Sequence, residues 1–251
     1  MKKIILSVFL FCVLISNAFS QTIINTEALL KEIDSTFAFK LNIDGNVNFG
    51  NIEFAQLNNS FSVGKKINNS LLRLSFGHEY ISEEKDILAN DWAGQIRFNK
   101  FYKKNSAFLF LQGQNVRSLK LLHRYLIGTG YRFRIKEKQS DYFDSSFGFF
   151  YEDELYEDEI FTNIKKYNYR YSISSFSNFS INEKLTLNTS IYYQINTTDS
   201  EDRRLFVEPR LYMDFTTFLI YLNIKYRNHT KPYVDIYKDD TEITFGIELD
   251  L

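Results

Sequence analysis

Side chains able to do chemistry are few in this sequence and poorly grouped. The histidines are His78, His123 and His229, each far from the others. Lipid or ester cleavage would need a serine, a histidine and an orienting polar group together, and no such local grouping is visible. Glu152, Asp153, Glu154, Glu157, Asp158 and Glu159 form an acidic run. Its oxygens could hold a divalent cation, or it could be a solvated loop; the spacing fits no EF-hand. There is no glycine-rich phosphate loop, zinc motif or haem motif. The expectation is a protein that is not an enzyme and carries no cofactor and no metal.

Arginines follow a stricter pattern. In RYLIGTGYRFRI, 124–135, the even positions hold Arg124, Leu126, Gly128, Gly130, Arg132 and Arg134, and the odd positions hold Tyr125, Ile127, Thr129, Tyr131, Phe133 and Ile135. A strand sends alternate side chains to opposite faces. One face is therefore aromatic and aliphatic, and the other cationic with two glycines. A soluble sandwich would bury the first face; a transmembrane barrel would turn it to lipid and the second to a lumen.

The rest of the chain decides between these. Lys2 and Lys3, the apolar run Ile4–Ile15 and the small residues Ala18 and Ser20 read as a signal peptide over 1–20, cut after Ser20. The single cysteine, Cys12, falls inside it, so the exported chain relies on no disulfide. Tyr and Phe number 17 and 25 against 2 prolines, which suits long aromatic strands. The net charge of −1 argues against a nucleic-acid partner. After residue 20 no apolar run is long enough for a membrane helix, so a membrane-spanning form must be a barrel. Residues 21–36 form a lead-in, with Leu29, Leu30 and Ile33 at helical spacing.

From Phe37 to Leu251 the period is two. Twelve alternating segments follow, predicting an all-β, antiparallel, up-and-down transmembrane barrel over 37–251. Short connections are expected at 65–69, 102–106, 136–140, 178–184 and 214–217. Longer, more charged or polar ones are expected at 82–90, 152–163, 196–204 and 228–239. Long loops gathered at one end are characteristic of outer-membrane barrels. The predicted lumen face carries Lys40, Asp44, Arg73, Glu79, Arg97, Arg124, Arg132, Arg134, Asp144, Arg170, Glu208, Arg210, Lys225, Glu248 and Asp250. Antiparallel pairing should bring Arg132 or Arg134 to Asp144 and, if the sheet closes, Lys40 to Glu248 or Asp250. Gly128 and Gly130 should admit bulky neighbours or permit sharper bending. His78 and His123 fall on the lipid-facing parity, and His229 in a loop.

The C-terminus, Gly246-Ile247-Glu248-Leu249-Asp250-Leu251, resembles the terminal signal read by the outer-membrane insertion machinery, with Gly246, Leu249 and Leu251 at the marked positions. An ordinary alternating last strand is the alternative. FLFLQGQN at 108–115, RSLKLLHRYLIGTGYRFRI at 117–135 and KPYVDIYKDDTEITFGIELDL at 231–251 resemble segments of the salt-induced outer-membrane proteins. This is the YdiY-like family of bacterial barrels of unknown function, and the likeness spans roughly 91–251. The resemblance implies an outer-membrane barrel with an envelope role linked to salt or osmotic stress, and it supplies no catalytic residue. The expected function is a narrow passive channel or a structural component, monomeric, with membrane lipid and the insertion machinery as partners. A surface-loop adhesin, a membrane-embedded hydrolase and a soluble periplasmic β-protein stay open as alternatives.

Overall fold

The structure is a computed structural model and describes residues 37–48, 53–84, 86–138, 140–157, 163–215 and 218–249. The signal peptide over 1–20, the lead-in over 21–36, Asp250 and Leu251 lie outside the described residues, as do the side chains of Lys40, Asp44, Glu248 and Leu249.

Twelve strands form one sheet in sequence order, each antiparallel to its neighbours. They are β1 (Phe37–Asn48), β2 (Phe54–Ile67), β3 (Ser70–Glu83), β4 (Asp86–Tyr102), β5 (Asn105–Val116) and β6 (Leu121–Lys138). The second half comprises β7 (Asp141–Tyr156), β8 (Ile164–Ser180), β9 (Leu185–Asn196), β10 (Arg203–Asp214), β11 (Phe218–His229) and β12 (Asp239–Leu249). Among the described residues the ladder ends at β1 and β12, with no hydrogen-bonded seam between them, so the sheet is curved but not closed.

The sheet is polar inside and apolar outside. On β5, Leu109 and Leu111 are about half exposed, while Gln114 on the opposite parity is buried. On β7, Phe147 and Phe149 face out, while Asp144, Glu152 and Glu154 have almost no exposure. Outward aromatics pair across strands, with Phe149 stacked on Tyr169 at 5.8 Å between ring centroids and Phe147 on Tyr171 at the same distance. Such pairs stabilise neighbouring strands by a few tenths to about 1 kcal/mol each. Pro209 faces outward on β10. It has no N–H to donate, and the β10–β11 ladder lapses at Glu208 and Pro209.

Curvature brings distant strands together on the inner face. Arg204 on β10 reaches Glu152 on β7, three strands away, at 2.9 Å. Arg227 on β11 lies within electrostatic range of Glu79 on β3. Gly128 and Gly130 on β6 allow the lumen to fill. A Cβ at Gly128 would stand 2.5 Å from Phe150 Cβ and 2.6 Å from the Phe110 ring. One at Gly130 would meet the Phe108 ring and stand 2.5 Å from the Phe147 carbonyl oxygen. Phe108 and Phe110 from β5 therefore lie flat over β6, and Phe110 approaches Phe150 of β7 at 6.3 Å. Of the two uses expected for these glycines, admitting bulky neighbours is the one on view.

Two expected loops are largely strand. The stretch 82–90 is a tight hairpin end: Glu83 pairs with Asp86, and a register shift at Ile81/Ser82 absorbs the extra residue. Ile87 and Leu88 extend the apolar outer face, while the acids gather at the tip. The acidic stretch likewise stays in β7 as far as Tyr156, because its alternate acids meet arginines inside. Connections 157–163, 197–202 and 230–238 remain the longer ones. The opposite end has short links at 68–69, 103–104, 139–140, 181–184 and 215–217. Asn68 and Lys103 take positive φ in two of these tight turns.

Replacing Gly130 with valine should displace Phe108 or the Phe147 carbonyl and destabilise the protein by about 1–3 kcal/mol. Gly77→Ala should be near neutral, since the nearest atom to its Cβ is the Asn59 carbonyl at 3.9 Å. Urea midpoints of the detergent-refolded protein measure both; equal midpoints for the two variants would refute the packing account.

Candidate functional site

The inner face has three tiers. The first lies toward the longer connections and is built on Glu152 and Glu154, successive inward positions of β7, both 0% exposed. Register places Arg124 of β6 opposite Glu154, and Asn168 of β8 opposite Glu152. Arg124 Nε donates to Glu154 at 2.5 Å, and Arg170 Nε donates to Glu152 at 2.5 Å. Arg204 bridges both acids, at 2.9 Å to Glu152 and 3.0 Å to Glu154. Arg170 continues to Asp202 at 2.5 Å. Three arginines thus face three carboxylates, and this part of the lumen is close to neutral.

A strap closes over this network. The 230–238 connection turns inward so that the Tyr233 hydroxyl donates to Asp202 at 2.7 Å and accepts from Asn168 at 3.1 Å. Val234 is buried with Val116, Leu121 and Tyr156, and Leu119, Ile164 and Ile236 pack around them. His229, the last residue of β11, sets Nε2 at 2.9 Å from Asp202. Burial alone would raise the Asp202 carboxyl. Hydrogen bonds from His229, Arg170 and Tyr233, with the charge of Arg170, outweigh it and hold Asp202 well below the usual carboxylate range. Burial first, then its bond to Asp202, pushes the Tyr233 hydroxyl above its ordinary range.

The middle tier is a cavity of about 90 Å³. At the ~30 Å³ a water occupies in the liquid it has room for roughly three. Aromatic rings of Phe108, Phe110, Phe150 and Phe176 narrow it, amides of Gln95, Gln112, Gln114 and Gln194 line it, and Arg97, Arg124 and Arg204 face it. Arg97 also lies over the Phe108 ring at 4.0 Å.

The third tier lies toward the short turns. Both Arg132 and Arg134 reach Asp144, at 2.7 and 2.5 Å. Arg73 donates to Asn99 at 3.1 Å. Around the wall, Arg210 pairs with Glu208 at 3.2 Å, Lys225 with Glu242 at 3.0 Å, and Arg227 with Asp240 at 4.0 Å.

Arg73, Arg97, Arg124, Arg132, Arg134, Asp144, Arg170, Glu208 and Arg210 are all buried or half-buried on the inner face. Arg132, Arg134 and Asp144 form one group, and Arg124 and Arg170 another, which do not meet in a single site. Sequence reasoning named Glu152 and Glu154 only as part of an acidic run and not as inner-face residues, and it missed Asp202, Arg204, Arg227 and Tyr233 there. Parity could have found four of these: Glu152 and Glu154 continue the even positions from Asp144, Arg204 precedes Glu208 and Arg210, and Arg227 follows Lys225. Nothing in the sequence marks Asp202 or Tyr233, which reach the lumen through folded connections.

The histidines do not converge. His78 bonds Asn90 at 3.0 Å, and His123 stacks on Tyr125 at 4.9 Å. Asp153 points away from the lumen toward Lys165 at 4.0 Å, and Asp158 and Glu159 lie outside the described residues. Among the described residues no group of three or more His, Cys, Asp or Glu could hold a metal ion. Gly246 sits opposite Tyr221, where a Cβ would come within 2.5 Å of the ring. A glycine there lets the Tyr221 ring lie across β12, and a larger residue would have to displace that ring.

Breaking the network from one side should be expensive. Arg204→Met leaves Glu152 and Glu154 short of positive charge and should cost about 3–5 kcal/mol. Adding Glu154→Gln to Arg204→Met should recover much of that. Urea unfolding of the single and double variants measures the coupling; strictly additive losses would rule out a shared network.

Residues 31–250 match the family described as "Protein of unknown function, DUF481". No curated protein matches the chain by sequence. Among solved structures, the porin NanC in a rhombohedral crystal form is similar, with a TM-score of 0.50 and 10% identity over 84% of this chain and 100% of that one. At that identity the likeness concerns the fold, which is porin-like. A match running over nearly the whole length settles the family: the chain belongs to DUF481.

Proposed function

We propose that this protein is an integral outer-membrane β-barrel serving as a narrow passive channel for small solutes, with its mouth held shut by the Tyr233 strap. The observation that carries this reading is the inverted distribution of side chains. Large apolar groups such as Leu111, Ile127 and Tyr169 stand exposed around the outside, while Arg170, Glu152 and Asp144 are buried within. Water would penalise that exterior, and a bilayer would not. Backbone groups in lipid must be satisfied internally, which a sheet of paired strands achieves.

In this reading the short turns lie on the periplasmic side and the longer connections outside. The protein is monomeric, follows a cleaved signal peptide, and presents its last strand to the insertion machinery. The porin-like fold supports a channel, and the likeness to salt-induced outer-membrane proteins supports a role in osmotic stress. The passage is narrow because aromatic rings fill the middle and ion pairs fill the mouth.

Tyr233→Ala removes the strap's anchor but leaves Arg170 bound to Asp202. In planar bilayers it should give larger unitary steps than the parent. Acid should act similarly. Asp202 is held ionised when folded, so its contribution is present above the unfolded carboxylate pKa of about 3.9 and fades as pH falls below that. Steps in the folded protein should therefore be unchanged from about pH 7 to 4 and grow only as pH falls well below that, toward the depressed pKa of the folded carboxyl. Folded protein that shows no steps in any of these states would overturn the channel and leave a structural envelope component.

A further inference from the structure

We propose that the middle cavity is a binding site for one small oxyanion, a carboxylate or an inorganic anion of about four to six heavy atoms, with Gln114 as its polar anchor. The inference adds a ligand class to the channel reading, though the site itself needs no conduction.

A directed chain of amides leads into the cavity. Gln95 Nε2 donates to Gln112 Oε1 at 2.8 Å, and Gln112 Nε2 donates to Gln114 Oε1 at 2.7 Å. Among the described residues the chain leaves an acceptor without a partner at its head, Gln95 Oε1, and a donor without one at its tail. That donor is Gln114 Nε2. It is buried with no hydrogen-bond partner among the described residues, and its side chain is 1% exposed. A buried donor without an acceptor is unfavourable, and Gln114 lines the cavity.

Charge selects the sign of the acceptor. Arg124, opposite Gln114 in the β5–β6 register, also lines the cavity, as do Arg97 and Arg204. No carboxylate is among its lining residues. Glu152 and Glu154 hold Arg124 and Arg204 from the mouth side, fixing the guanidinium groups rather than entering the space. An occupant therefore meets amide and guanidinium donors, serine hydroxyls and aromatic rings, with no negative wall to repel an anion. The volume, about 90 Å³, admits acetate or phosphate and excludes a large sugar.

Isothermal titration of the full, detergent-solubilised protein with sodium phosphate, sodium acetate and glycerol, at fixed ionic strength, tests this. Saturable binding of phosphate, acetate or both at one per chain is expected, and the anion that binds separates an inorganic from a carboxylate ligand. Glycerol, of similar size but neutral, should not bind. Gln114→Leu should weaken the anion at least about tenfold. Gln114→Glu keeps the size and the bond from Gln112 while adding negative charge, and should abolish binding, so it stands in if the leucine variant fails to fold. No saturable anion binding by folded protein, equal binding by the folded variants, or equal binding of glycerol would each overturn the site. Anion binding without conductance would overturn only the channel.

Discussion

Everything inside this sheet depends on pairing Glu152 and Glu154 with cations where both are fully buried. A lone buried carboxylate would lose several kcal/mol of hydration. Two of them, one dipeptide apart on the same face of β7, can persist only if cations converge from several directions. Arg124 comes from the strand before, Arg170 from the strand after, and Arg204 from three strands on. The last contact is possible only if the sheet curls. The ion network and the curvature are one constraint seen at two scales, because a flatter sheet would strand both glutamates.

The remainder of the lumen follows from that curl. A sheet curved tightly enough to join β7 to β10 has little interior width, and aromatic side chains from neighbouring strands would collide. Gly128, Gly130 and Gly148 remove side chains where Phe108 and Phe110 lie down. The result is a filled middle with a small polar space rather than an open bore. Cation–ring contacts, such as Arg132 over Phe176 at 4.7 Å, let guanidinium groups share this interior with phenyl rings.

The sequence made the strands legible because a two-residue period declares itself locally. Twelve segments, their order and their antiparallel sense were readable from alternation and turn spacing alone, and the Arg132–Arg134–Asp144 group followed from one short turn. The errors came where composition spoke against period. The acids at 152–154 looked like a solvated loop, although their parity with Asp144 put alternate ones inside. Charge at 82–90 suggested a loop, although Ile87 and Leu88 kept the outer face apolar. Other contacts were unreadable in principle: Tyr233 meets Asp202 because a nine-residue connection folds back, and Arg204 meets Glu152 because of curvature. Neither leaves a local trace in the chain.

A mouth that is nearly neutral and a middle that is cationic are consequences of the same arginines. Arg124 and Arg204 both bind the glutamates and both line the cavity. Their charge is cancelled toward the strap, where close ion pairs leave little field, and is less compensated toward the centre, where the walls are amide, hydroxyl and ring. The guanidinium fork makes this division possible, since its donors point in several directions from one plane while the charge stays delocalised. A lysine at either place would offer a single point of attachment and could not fix the glutamates and face the cavity together. In the proposed channel, closing the mouth and setting the preference of the interior fall to the same two side chains, so a change that loosens one should alter the other.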